Sequence, residues 1–227
     1  MLFTKQMAMD NIRNRQGKRV FYLDNADTLT SEARDWLSTQ RIEILPAYKA
    51  RQEQMKLLTG GFVTEKPEHM THLNGDVLVS KAHPRIAFRG QVDTLEAKLL
   101  LCGLRFPHLK EELGEILGLT RHIIRCDVLD EPLTLHALCG MSQEEIRKQS
   151  HFPQKYFSVA HFMPDFGDTP VVLELNAVRC QARQAELSGL MAFSDREGNP
   201  TRTDILQALN RISSMLYILM LRQKAKT

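Results

Sequence analysis

Thr203-Asp204-Ile205-Leu206-Gln207-Ala208-Leu209-Asn210-Arg211-Ile212-Ser213-Ser214-Met215-Leu216-Tyr217-Ile218-Leu219-Met220-Leu221-Arg222 repeats its apolar residues at helical spacing. Ile205, Leu209, Ile212, Leu216 and Leu219 stand three or four apart and fall on one face of an α-helix. Asp204 opens the run and basic residues close it, the arrangement a helix dipole favours. A helix this apolar on one side requires packing partners, because packing rather than propensity supplies most helical stability. Asn210 and Arg211 lie inside the repeat, and polar groups that close to a seam need partners as well.

Working back along the chain, the partner helices come into view. Thr169-Pro170 reads as the cap and first turn of a helix carrying Val171, Leu175, Val178, Ala182, Ala185 and Met191. Ser142 and Glu145 form a capping-box pattern for a short helix to about His151. Pro107 opens a helix with Leu109, Leu113, Leu117 and Ile124 on its apolar face and Ile116 and Ile123 alongside. Gly114 and Gly118 on that helix are expected to permit a close crossing. Pro84 starts another, through Phe88, Val92, Leu95 and Leu99 to about Leu104.

Four long helices and one short one define the expected fold class, an all-α five-helix bundle over residues 71–227, with no sizeable segment of period two. Residues 1–70 form a small mixed N-terminal extension. Lys18–Leu23 has strand character, and residues 29–44 read as a short helix, starting at Thr30 or Ser31, that runs into an extended piece. Residues 46–70 hold Pro46, Gly60, Gly61 and Pro67 and read as a polar connector.

The 227 residues suit one domain with an appendage or two small domains, and they can bury a core without disulfides. With 43% hydrophobic and 25% charged residues the composition is globular, and no apolar run reaches membrane-spanning length. The first residues, with Lys5 and Asp10, lack the apolar stretch of a signal peptide. Cys102, Cys126, Cys139 and Cys180 stand far apart with no Cys-x-x-Cys pair, so reduced thiols and a cytoplasmic location are expected. A net charge of +3, without a basic stripe interleaved by aromatics, argues against nucleic acid as a partner.

Charge concentrates on helix faces in three places. Asp93 and Glu96 stand three apart in the run Arg89-Gly-Gln-Val-Asp-Thr-Leu-Glu96 and share one face. Arg179, Arg183 and Glu186 follow at i, i+4 and i+7, again on one face. Asn210 and Arg211 form the third. Two readings of the arginine stripe stand side by side: an exposed ion-pair face, or a triphosphate site between packed helices. Val178, Ala182 and Ala185 flank the arginines, so the stripe adjoins the core, where a guanidinium must find a carboxylate or a phosphate. Arginine suits phosphate because its planar fork gives bidentate contacts.

His83-Pro84-Arg85-Ile86-Ala87-Phe88-Arg89-Gly90-Gln91-Val92-Asp93, the Arg179-x-x-x-Arg183-x-x-Glu186 helix and Leu209-Asn210-Arg211-Ile212-Ser213 together resemble the ATP:cob(I)alamin adenosyltransferases. The likeness is strongest to the ethanolamine-utilisation branch, with Thr71-His72-Leu73, Asp130-Glu131-Pro132-Leu133 and Arg202-x-Asp204 also matching, and it covers about residues 71–222. The resemblance implies a five-helix bundle that binds MgATP and cobalamin and moves the 5′-deoxyadenosyl group onto cobalt. It also implies residue roles. Arg183 and Asn210 contact ATP, and Arg179 pairs with Asp93 across a subunit boundary of a homo-oligomer; Glu186, read from its place beside Arg183, holds that fork, receives a phosphate-bound metal, or simply balances charge. Lys81 is either a phosphate contact or a surface lysine. Phe162, within residues 156–166, is the candidate for displacing the lower axial ligand of the corrinoid, and the alternative for such an aromatic is core packing. His161 is either a cobalt ligand or structural.

The chain departs from the family before the bundle. Only Thr4 and Lys5 match the N-terminal phosphate loop of the propanediol-utilisation relatives, and no cysteine precedes Cys102 to build the metal cluster of some ethanolamine-type enzymes. His69 and His72 alone make a poor zinc site, so no resident transition metal is expected, and Mg²⁺ is expected to arrive with ATP. Two other functions remain open: a non-catalytic carrier or assembly protein binding ATP or adenosylcobalamin, and a helical interaction module. Ethanolamine ammonia-lyase and a bacterial microcompartment are the partners the resemblance implies.

Overall fold

A computed structural model of the chain describes residues 1–15, 17–47, 55–63 and 65–226. Backbone contacts divide it into two compact units, Met1–His83 with Val128–Asp130, and Pro84–Asp127 with Glu131–Thr227.

The first unit is mixed. Strand β1 (Leu2–Phe3) runs parallel to β4 (Thr28–Leu29), and β2 (Arg13–Arg15), β3 (Lys18–Leu23) and β5 (Glu43–Pro46) form a sheet in that order. Helix α1 (Lys5–Asp10) is capped by Thr4 and α2 (Ser31–Thr39) by Thr30, whose hydroxyls accept from the N–H of Met7 and Ala33. Ala8, Ile12, Phe21, Ala33, Leu37 and Leu129 are among the residues of its core.

The polar connector expected over 46–70 carries short strands joined by turns; residues 48–54 and 64 lie outside the described residues. Strands β6 (Met55–Leu57), β7 (Phe62–Val63), β8 (Met70–Asn74) and β9 (Val77–Ser80) pair in the order β7-β6-β9-β8. Gly60 and Gly61, with φ of +101° and +85°, turn β6 back on β7, a conformation glycine adopts without steric cost. Strands of two to five residues are too short to show alternation, and β6 finds its parallel partner in β9, with Lys56 opposite Val77, so periodicity missed them. The same holds for the β8–β9 hairpin, which occupies residues after Thr71 that were expected to be helical.

The second unit is helical. Its long helices are α3 (Pro84–Arg105), α4 (Lys110–Leu129, entered through a 3₁₀ turn at Pro107–Leu109, its last two residues clustering with the first unit), α7 (Pro170–Ala192) and α8 (Thr203–Lys224). The short ones are α5 (Gln143–His151) and α6 (Pro153–Phe157). The described helices of the bundle are therefore six rather than five. The additional one arises because Pro153 lacks an N–H and forces Phe152 out of the helical region, splitting the segment in two. A small hairpin of β10 (Ala137–Leu138) and β11 (Met141–Ser142) precedes α5, whose capping box between Ser142 and Glu145 is complete.

Phe88, Leu95, Leu99, Ile116, Ile123, Leu175, Ile205, Leu209 and Leu216 belong to one buried core. On α4 the buried stripe runs through Leu113, Ile116 and Ile123, while Leu117 and Ile124 are only partly covered. Thr169 stands at the N-cap position of α7, yet its hydroxyl makes no capping bond and is buried without a partner. Among the described residues nothing stands opposite Gly114 or Gly118, so neither makes the expected close crossing there. Among the described residues no helix is long and apolar enough to cross a membrane.

Candidate functional site

Helices α7 and α8 pack closely because Ala182, Ala185 and Gly189 turn small side chains to the core. Gly189 is a tight point, where a Cβ would stand 3.2 Å from Phe88 Cε2 and 3.3 Å from Leu206 Cδ2. Beside it, Arg183, Glu186, Leu187 and Leu190 of α7 and Leu206, Asn210 and Ser213 of α8 line a pocket of about 290 Å³. Asn210 Nδ2 donates to Glu186 Oε1 at 3.0 Å across the seam. Arg183 is exposed and has no hydrogen-bond or ion-pair partner among the described residues, so its donors are open to a ligand.

Three of the residues picked from the sequence thus meet in one pocket. Arg179 lies one turn away, donating from Nε and Nη2 to Asn176 Oδ1 at 3.2 and 3.0 Å, with its guanidinium 5.8 Å from the Tyr217 ring centre. Asp93, on α3, is exposed without a partner among the described residues, so Arg179 and Asp93 are not paired within one chain. Phe162 packs at the edge of the core, its ring 6.0 Å from that of Tyr217. Lys224 Nζ lies 5.4 Å from the Phe162 ring centre and also pairs with Asp168. Lys81 belongs to the first unit, where it stands 3.9 Å from Glu68, both exposed.

Both ring nitrogens of His161 are engaged, Nε2 with the carbonyl of His151 at 3.1 Å and Nδ1 with the Tyr217 hydroxyl at 3.2 Å. A carbonyl only accepts, so Nε2 carries a proton toward His151, while Nδ1 shares a hydrogen bond with the Tyr217 hydroxyl. Both bonds suit the structural alternative for His161, and a metal bond would replace one of them. Thr4 caps α1 and Lys5 bonds to Glu32 at 3.2 Å, so the N-terminal residues that match a phosphate loop serve local structure. Among the described residues no three His, Cys, Asp or Glu side chains gather as metal ligands. Burial, helped by nearby carboxylates, pushes the Cys102 thiol up to about 11 and that of Cys139 up to about 12, so neither offers a thiolate at neutral pH.

Other motif residues hold the bundle rather than the pocket. Arg85 Nε and Arg89 Nε donate to the two carboxylate oxygens of Asp127 at 2.8 and 2.6 Å, and Arg85 also reaches the Asp127 carbonyl. Asp204 accepts from the Leu133 N–H at 2.8 Å and from Arg202, which also donates to the Glu131 carbonyl. Burial works to raise the Asp204 pKa, but the Arg202 guanidinium and the N–H groups of Leu133 and Ile205 outweigh it and hold it below the usual carboxylate value. Two contributors escaped sequence reading. Tyr217 shares the pocket-side face of α8, seven residues after Asn210, and an aromatic at that spacing was the available signal. Asp127, a carboxylate between Cys126 and Leu129 in an apolar stripe, was the other.

The chain belongs to the cobalamin adenosyltransferase family, which matches residues 62–223. It is similar to the corrinoid adenosyltransferase EutT of Salmonella typhimurium strain LT2 and to that of Escherichia coli K12, being 33% identical to each over 165 residues. Those residues are 72% of this chain but 62% of each relative, so the chain spans less than two thirds of their length. No solved structure matches the chain.

Proposed function

We propose that this protein is a corrinoid adenosyltransferase that moves the 5′-deoxyadenosyl group of ATP onto cob(I)alamin. The observation that carries the reading is the meeting of Arg183, Glu186 and Asn210 in one pocket between α7 and α8. The reduced cobalt of the substrate is the nucleophile at the ribose C5′, the C5′–O bond breaks, and the triphosphate departs. Such a displacement asks the protein for in-line positioning and charge stabilisation rather than for a general base. The unpartnered fork of Arg183 binds phosphate oxygens as negative charge grows on the leaving group, and the Asn210 amide, oriented by Glu186, supplies a further donor.

A single carboxylate, Glu186, is no cage for a divalent cation, so Mg²⁺ enters on the triphosphate and neutralises part of its charge there. The pocket of about 290 Å³ sits at the lower edge of small-molecule sites. That size favours completion by a second copy, with Asp93 of one subunit meeting Arg179 of the next in a homo-oligomer. Phe162, stacked near Tyr217, is the side chain we assign to the corrinoid's lower face. The product would serve an ethanolamine ammonia-lyase, in the cytoplasm or a bacterial microcompartment.

The test is anaerobic adenosylation with MgATP and chemically reduced cob(I)alamin, followed by loss of Co(I) absorbance. Arg183→Ala is expected to lower turnover by about 10² to 10³, the range for removing one transition-state donor. Unaltered turnover in this variant would sink the site assignment. A second reading, a non-catalytic ATP or adenosylcobalamin carrier, draws support from Thr4 and Lys5, which serve a helix cap and a surface pair. Tight adenosylcobalamin binding by a folded chain without turnover would favour it.

A further inference from the structure

A second cavity lies at the end of α8, where that helix meets the 3₁₀ turn before α4 and the short helix α6. Its volume is about 450 Å³, within the range of small-molecule sites. Leu219, Arg222 and Gln223 of α8 line it, whereas Leu206, Asn210 and Ser213 line the α7–α8 pocket, and the two cavities share no described residue. At 3.6 residues per turn the two sets fall on opposite sides of the helix.

Two polar side chains of its wall are short of partners. Gln223 is only 7% exposed, yet its amide makes no hydrogen bond among the described residues. Buried amides are nearly always hydrogen-bonded, so an unpartnered one on a cavity wall marks a group kept for something that enters. Arg222 is half-buried, and its hydrogen bond among the described residues runs from Nη2 to the Met141 sulfur at 3.5 Å. A thioether is a weak acceptor, which leaves most of the guanidinium fork open to a ligand.

The charges of the described wall are Arg222 and Lys226 against Glu112 of α4, which leaves one positive charge over when His108 is neutral. Neither cation pairs with Glu112 among the described residues. Leu109, Phe157 and Leu219 supply apolar surface beside them. One excess positive charge, an open fork and an apolar wall match a monoanion on an apolar body, and a planar carboxylate takes a guanidinium bidentately. We infer that this cavity is a second binding site, for a small organic carboxylate with an aromatic or aliphatic body, held by Arg222 and Gln223. The site stands apart from the functional reading above, because none of its residues lines the α7–α8 pocket.

Titration calorimetry of the full chain with 2-naphthoate tests this, alongside ligand-free thermal melting. The wild type is expected to bind one equivalent with a Kd below about 1 mM. The neutral alcohol 2-naphthalenemethanol and inorganic phosphate are each expected to bind at least about tenfold more weakly, one lacking the charge and the other the apolar body. Arg222→Met is expected to weaken naphthoate binding at least about tenfold, and Gln223→Leu by roughly three- to tenfold. Arg183→Ala, in the other pocket, is expected to bind naphthoate as the wild type does. Absence of saturable binding, equal affinity for the alcohol or for phosphate, or wild-type affinity in either folded variant overturns the inference. Should Arg222→Met melt far below the wild type, Gln223→Leu alone decides. Loss of naphthoate binding in Arg183→Ala also overturns it, by placing the anion between α7 and α8.

Discussion

Asp127 is wholly buried and holds both Arg85 and Arg89, which are themselves mostly covered. Removing one member of such a set leaves the others charged and desolvated, so Asp127→Asn is expected to cost about 3–5 kcal/mol of stability. Urea unfolding followed by far-UV circular dichroism measures this, and a loss below about 1 kcal/mol would contradict the burial argument. The three residues also show why motif residues divide into two kinds. Arg85 and Arg89 stand on α3 as visibly as Asp93 does, but their carboxylate is 38 to 42 positions away on α4, a pairing no helical period reveals. Arg183 and Asn210 keep donors at a pocket, and nothing in their immediate sequence distinguishes them from Arg85.

Glycines along the helices sort by what stands opposite. Gly189 of α7 meets Phe88, itself packed edge-on against Phe193 with ring centres 5.1 Å apart, and Leu206 of the pocket wall. Gly114 and Gly118 of α4 meet nothing among the described residues. Alanine raises helix propensity by about 1 kcal/mol at any of the three, but at Gly189 the overpacking term of about 1–3 kcal/mol exceeds it. Gly189→Ala is therefore expected to lower stability and Gly114→Ala to raise it by about 0.5–1 kcal/mol, compared in the same denaturant titration. Equal signs would mean that the α3–α7–α8 junction yields more easily than its contacts indicate. In the sequence, Gly114 and Gly118, four positions apart on one helix, were the glycines expected to permit a close crossing, whereas Gly189 drew no such expectation.

Assembly is where the Asp93 and Arg179 pairing can be tested. Neither reaches the other within one chain, and Arg179 rests on Asn176 and Tyr217. If the two meet between copies, Asp93→Asn leaves a guanidinium uncompensated at the interface. Association should then weaken by about tenfold or more, read by sedimentation velocity over a dilution series. An oligomer as tight as the wild type's would remove Asp93 from the interface. Exposed Leu100, Leu101 and Leu104 on α3 and Leu187, Leu190 and Met191 on α7 give both helices apolar outer faces that a second copy could cover.

Helical period, prolines and caps were enough to write down the four long helices, the capping box of α5 and the candidate set Arg183, Glu186 and Asn210, because each is a local property read within a few turns of chain. Pairing over distance was not legible. The β6–β9 ladder, the clamp on Asp127, the tie of Asp204 to Leu133 and the unmatched Arg211 depend on which groups folding brings within about 3 Å, and a one-dimensional pattern carries no such distances. The chain's order therefore declared which residues carry charge on helix faces. Folding alone determined which charges are spent on each other and which are left open at a pocket.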